Sequence, residues 1–153
     1  MILLQTSNSV LLSIRVIMKL YDQYMEAIRI QHQLSQIEIT IISYLHNNPG
    51  SDTARDICEM RMLPKGNVSQ GVESLIKKGF LLRTPDTEDR RRIHLSLTDH
   101  ALPIIEKIEE AKTNFMQELF AGLTSEEAAL YHTLHTHIIT NAKHCLERKN
   151  DNE

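Results

Sequence analysis

The sequence predicts a mainly α-helical protein interrupted by one small β-hairpin. Three observations carry that prediction. Apolar residues recur every three or four positions along most of the chain, glycine and proline are scarce at five and four in 153 residues, and one segment changes to the alternation of strands. With 41% apolar and 24% charged residues, the composition is that of a folded domain, and the length suits one domain or two small lobes sharing a core.

From Val10, the residues Leu11, Ile14, Met18, Tyr21, Met25 and Ile28 form the apolar stripe of a long helix. Ser35 and Glu38 make an S-x-x-E capping box that opens a second helix, with Ile37, Ile41, Ile42 and Leu45 on its buried side and "NNPG" at 47–50 as its stop. Thr53 and Asp56 repeat the signal more loosely ahead of a short helix bearing Ala54, Ile57 and Cys58. After "RMLP", the spacing of Val68, Val72, Leu75 and Ile76 predicts a fourth helix, and Gly79 sits where a left-handed cap belongs. Phe80 to Leu82 and the alternating Ile93, Leu95 and Leu97 then read as two strands joined by a turn-like Pro85 to Asp89. Thr98 and Asp99 are expected to cap the next helix, which carries Ile105, Ile108, Ala111, Phe115 and Leu119 as far as Gly122. Thr124 and Glu127 form a last capping box before Leu130, Leu134, Ile138 and Ala142.

Three short helices followed by a hairpin is the pattern of a winged helix-turn-helix. The expected organisation is an N-terminal dimerisation helix over residues 1–34, a DNA-binding lobe over 35–98, and C-terminal dimerisation helices over 99–153. The outer helices are too few to bury their own apolar stripes, so pairing with a second copy as a homodimer is expected.

Charge is unevenly shared. The chain carries −3 overall, yet residues 35–98 hold nine Lys/Arg against eight Asp/Glu, and Lys65 to Arg92 hold seven against four. A local basic patch can attract a polyanion despite the screened total. On the fourth helix the wheel leaves Gly66, Asn67, Gln70, Ser74 and Lys77 facing outward. Asn67 and Gln70 suit adenine in the major groove, Gly66 lets backbone approach closely, and Lys65 and Ser69 flank them where phosphates would lie. Arg90, Arg91 and Arg92 at the hairpin tip suit a minor groove or its phosphates, with Asp86, Glu88 and Asp89 pairing locally to hold them apart and cap the turn. Gly71 is unexplained, since a mid-helix glycine costs about 1 kcal/mol relative to alanine.

Over about residues 10–148 the sequence resembles the multiple-antibiotic-resistance-regulator (MarR) family. The residues that carry the resemblance are "VSQGVESLIKKGFL", "DRR" at Asp89 to Arg91, "LSLT" at 95–98 and "LTSEE" at 123–127. It implies a homodimeric regulator on a pseudo-palindromic double-stranded DNA operator, usually a repressor, often released by a small-molecule effector held between the dimer helices and the DNA lobes. It also implies that Asn67 and Gln70 read bases, Ser69 touches phosphate, Arg91 enters the minor groove, Asp89 buttresses the wing, and Arg90 and Arg92 support through phosphate. Pro64 and Gly66 depart from the hydroxyl residues usual in the family, and Gly71 from a larger apolar one.

Other chemistries are weighed against this reading. His132 and His135 lie one helical turn apart but lack further metal ligands, and Glu106 to Glu110 occupy the stretch where zinc-sensing members carry paired histidines. Cys58 reads as small core filler rather than a redox sensor, and the reactive N-terminal cysteine of peroxide-sensing relatives is missing. No phosphate loop, nucleophile elbow or paired-carboxylate motif suggests an enzyme, and no cofactor or metal is expected. Two cysteines, no basic n-region and no cleavage site point to a cytoplasmic protein without a membrane span. Met18, Tyr21 and Met25 are expected near an effector pocket or in the dimer core, and no effector-binding residue is assigned. The alternatives are a winged-helix module for protein contact without DNA binding, or a metal- or redox-sensing regulator.

Overall fold

The structure, a computed structural model, describes residues 2–150, and their side chains from residue 9 onward. In chain order the elements are α1 (Ile2–His32), α2 (Gln36–Asn47), α3 (Ala54–Arg61), α4 (Lys65–Lys77), β1 (Leu81–Pro85), β2 (Ile93–Leu97), a 3-10 turn (Asp99–Ala101), α5 (Leu102–Leu119) and α6 (Ser125–Asn150). The fold is mainly α with one antiparallel hairpin, as the sequence predicts. The first helix begins at Ile2, ahead of the apolar stripe that starts at Val10. The chain divides into two compact units, one running through Phe115 and the other starting at Met116.

The first unit is organised by α2, which the capping box at Ser35 starts. The Ser35 hydroxyl accepts the Glu38 N–H, and the Glu38 carboxylate accepts the Ser35 N–H. Ile39, Ile41, Ile42 and Tyr44 of α2 are all buried, more of this helix than its predicted stripe, because α2 lies in the middle of the core rather than at its edge. Around it gather Met25 and Ile28 from α1, Ile57 from α3, Val68, Val72 and Leu75 from α4, Leu81 and Leu95 from the hairpin, and Ile104, Ile105 and Ile108 from α5. Phe115 meets the edges of Tyr21 and Tyr24 at ring-centroid distances of 5.5 and 5.9 Å, which fixes the far end of α1 to α5.

The loops are closed by side chains that the sequence largely announced. Thr53 and Asp56 form a full capping box on α3. The helix α4 ends in a paired-carbonyl cap: the Gly79 N–H donates to Ile76 O at 3.0 Å and the Phe80 N–H to Leu75 O at 2.9 Å, with Gly79 at φ +78°. Thr98 behaves differently from expectation. A 3-10 turn precedes α5, so Thr98 makes no side-chain cap; instead its hydroxyl donates to Gly79 O at 2.6 Å and its N–H to Phe80 O at 3.0 Å, closing the base of the hairpin.

In the second unit, Thr124 and Glu127 form the expected capping box on α6. Phe120 meets the edge of Tyr131, and Tyr131 stacks on His135. No α6 residue is buried, and Leu130, Leu134, Ile138 and Leu146 are among its exposed apolar side chains.

Candidate nucleic-acid interface

Two elements of the first unit carry the predicted site. On α4 the apolar residues Val68, Val72 and Leu75 turn inward, and that orientation leaves Lys65, Gly66, Asn67, Ser69, Gln70 and Lys77 exposed. A Cβ on Gly66 would meet nothing within 4 Å, so a ligand can reach the backbone there. Gly71 is explained by its neighbours: an added Cβ would lie 2.7 Å from Ile41 Cδ1 and 3.3 Å from Ile37 Cγ1. Close approach of α4 to α2 demands the missing side chain, and this outweighs the helix-propensity cost.

Electrostatic ties hold α4 in place. Lys78 donates to both oxygens of buried Glu38, at 2.9 and 3.0 Å, and to Gln33 O at 2.6 Å. Burial pushes the Glu38 carboxyl up, but the Ser35 N–H, the Ser74 hydroxyl and the Lys78 ammonium more than offset it, and the group sits below its ordinary range. At the exposed end, Arg83 of β1 pairs with Glu73 of α4.

The hairpin pairs Leu81 with Leu97 and Pro85 with Ile93, which places Arg90, Arg91 and Arg92 in the exposed connection between the strands. Two acids of this tip cap the turn as expected, but do not pair with the arginines. Asp86 Oδ2 accepts the N–H groups of Glu88 and Asp89 at 2.9 and 3.0 Å, and Asp89 Oδ1 accepts the Arg91 N–H at 3.0 Å. The Asp86 N–H donates to Arg92 O and the Arg92 N–H to Asp89 O, both at 2.9 Å. Thus Asp86 and Asp89 shape the turn through backbone amides instead of pairing with the guanidinium groups. Among the described residues no ion pair engages Arg90, Arg91 or Arg92, so their charge stays available to a ligand.

A groove runs between the tip and the N-terminal end of α3, lined by Thr53, Arg55, Asp56, Glu59, Arg91 and Arg92. Next to it lies a contact that sequence reasoning missed. His94 of β2 is hydrogen-bonded through Nδ1 to Asp52 Oδ1 at 2.6 Å and through Nε2 to Asp86 Oδ1 at 2.7 Å. The hydrogen bonds to Asp86 and then Asp52 raise its pKa above the ordinary 6.5, while His94 and the two amides hold Asp86 well below the usual carboxylate range. A backbone bond from the Leu95 N–H to Asp52 O, 2.9 Å, runs alongside. In the sequence His94 stands between the apolar Ile93 and Leu95 of the alternating strand, and nothing local points to Asp52, 42 positions earlier.

The remaining candidates are placed as follows. Met25 is in the core and Tyr21 is partly buried against Phe115, whereas Met18 is exposed. Cys58 packs partly against the core, and Cys145 is exposed. Among the described residues no three His, Cys, Asp or Glu side chains gather to hold a metal, and no helix is long and apolar enough to cross a membrane.

Three helices with a hairpin after the third, an exposed polar face on that third helix, and a basic tip define a winged helix-turn-helix protein. Residues 32–92, from the end of α1 through the wing, match the model of the MarR family. The uncharacterized HTH-type transcriptional regulator YkoM of Bacillus subtilis (strain 168) is 27% identical over 97 residues, 63% of this chain and 62% of YkoM. The crystal structure of MarR superposes with a TM-score of 0.72 at 21% identity, covering 92% of this chain and 93% of that one. The S. aureus MepR–DNA complex gives 0.73 at 20% identity, over 88% and 96%. Our chain spans 62% of YkoM's length and about half that of other curated relatives it matches. Over residues 32–92 the chain is thus similar to the MarR family, and the curated relatives it matches are HTH-type transcriptional regulators.

Proposed function

We propose that this protein is a sequence-specific DNA-binding regulator that binds a pseudo-palindromic operator as a homodimer and represses from it. The observation that carries this reading is the pairing, within one unit, of an exposed polar face on α4 with an exposed tip of three arginines that no ion pair engages among the described residues. In this reading α4 enters the major groove. Asn67 and Gln70 make paired hydrogen bonds to base edges, while Lys65 and Ser69 contact phosphate. Arg91 reaches into the adjacent minor groove, Arg90 and Arg92 meet its phosphates, and Asp89 keeps the turn in shape. The MepR complex, a relative in fold with DNA bound, supports double-stranded DNA as the ligand.

A homodimer is supported by the exposed apolar residues of two helices. On α1, Leu11, Ile14 and Met18 are 52–61% exposed, and on α6, Leu134 and Ile138 are 52% and 60% exposed. Two copies would present two α4 helices to successive major grooves. Release by a small-molecule effector, and a cytoplasmic setting, complete the reading that the family resemblance supports. Protein contact without DNA is the rival use of the same lobe.

Crosslinking followed by sequencing of the co-purified DNA tests this directly. Enrichment of a motif with two-fold symmetry and half-sites about one helical turn apart is expected, while recovery of random genomic DNA would refute sequence-specific binding.

A further inference from the structure

One side chain links the connection between the two strands to the loop before α3, beside the backbone bond from the Leu95 N–H to Asp52 O. His94 lies between two carboxylates from different elements, Asp86 in the wing connection and Asp52 in the loop before α3, at 2.7 and 2.6 Å. All three side chains are partly exposed, at 31%, 26% and 29%. A neutral imidazole has one N–H and one lone pair, so it can donate to only one of two such partners and must turn its lone pair on the other. Both contacts are favourable only for the imidazolium. Asp86 also accepts the amides that shape the arginine tip, so whatever holds Asp86 holds the tip.

Resting on the DNA-binding reading above, we propose that His94 is a positioning residue: its imidazolium clamps the wing to the loop before α3 and makes the placement of Arg90, Arg91 and Arg92 depend on protonation. The groups around it favour that charge. Asp86 acts from the wing connection and Asp52 from the α2–α3 loop. On α3, Asp56 is engaged by Thr53 and feels Arg92. Asp56 also feels Arg55, and Tyr44 of α2 feels Asp56, Arg61 and Asp52; burial first, then Asp56 and Asp52, raise its phenol above 10.0, outside the relevant range. Across the hairpin, His94 faces uncharged Thr84.

The direction of the pH effect follows from linkage. A histidine whose pKa rises on folding contributes fully below its ordinary 6.5 and loses that contribution as pH climbs through the raised value. Asp86, depressed on folding, contributes fully above its ordinary 3.8 and loses this only as pH falls through the depressed value. The clamp is therefore complete between about 4 and 6.5 and opens on the alkaline side.

Two measurements on the full chain test the clamp. In the free protein, NMR titration should show the His94 ring titrating above 6.5, with the Arg90 to Arg92 backbone amides shifting at the same midpoint. Amides that ignore the His94 transition would overturn the proposal. Second, binding should be followed between pH 6 and 8.5 using a duplex enriched by the full chain from a random library at pH 6. The wild type should lose at least about threefold in affinity across that range. His94→Arg, which keeps a charge at this position, should hold affinity nearly level, and His94→Gln should be weak throughout. Equal pH profiles for the wild type and both variants would also overturn the clamp. If no duplex is enriched, the DNA-binding reading fails, and the amide titration alone decides whether His94 positions the wing.

Discussion

At Gly71 the space for a side chain is already taken by Ile41 and Ile37 of α2. Filling it with a branched group forces buried Ile41 and half-buried Ile37 off their rotamers. Gly71→Val should therefore lower the unfolding free energy by about 1–3 kcal/mol, read from the urea midpoint. The sequence marked Gly71 as anomalous, yet it could not supply the reason, since a close approach between helices depends on residues thirty positions away. Glu38 poses the complementary case. Its capping role was legible at i and i+3, but its Lys78 partner, 40 residues on, was not. Removing that ammonium leaves a buried carboxylate short of a partner, so Lys78→Met should destabilise by about 3 kcal/mol at pH 7. Glu38 is depressed on folding, and its contribution is complete above its ordinary 4.5 and lost as pH falls through the lower value. The deficit of Lys78→Met should accordingly shrink in acid; a deficit independent of pH would mean that packing, not charge, dominates.

At the level of elements, local chemistry was read well because it is short-range. The capping boxes at Ser35, Thr53 and Thr124 and the glycine cap at Gly79 each involve residues within a few positions, and all four form. Thr53→Ala removes the acceptor for the Asp56 N–H and should cost about 1 kcal/mol in urea unfolding. A cost near zero would mean that the α3 boundary is held by packing alone. The hairpin was harder to read. The strand alternation gave its position, but Thr98 closes the base of the hairpin instead of capping a helix, and the acids of the tip bind amides rather than arginines. Both differences arise because a hairpin brings together groups that sequence spacing keeps apart. That arrangement leaves three guanidinium groups available, and makes the wing a firm turn rather than a self-neutralising charged loop.

For the whole molecule, the charge distribution now has a structural basis: a net −3 chain places three exposed arginines, none in an ion pair among the described residues, on one tip of one unit. The apolar faces of α1 and α6, legible as stripes in the sequence, remain exposed in a single copy. Their burial by a partner predicts that Ile138→Glu shifts the protein from dimer toward monomer at micromolar concentration in light scattering, with helix content retained; an unchanged mass would place the interface elsewhere. Central to the account is that α4 and the wing bind DNA through separate kinds of contact. The most direct test is the salt dependence of affinity for the enriched duplex, compared between the wild type, Arg91→Ala and Gln70→Ala. Affinity should fall steeply with salt; Arg91→Ala, which removes one cation from the minor groove between the two phosphate chains, should reduce the slope of log K against log salt by up to about 0.9. Gln70→Ala should leave the slope unchanged while relaxing preference at one base pair per half-site. Binding that is insensitive to salt, or slopes identical in the wild type and Arg91→Ala, would contradict it.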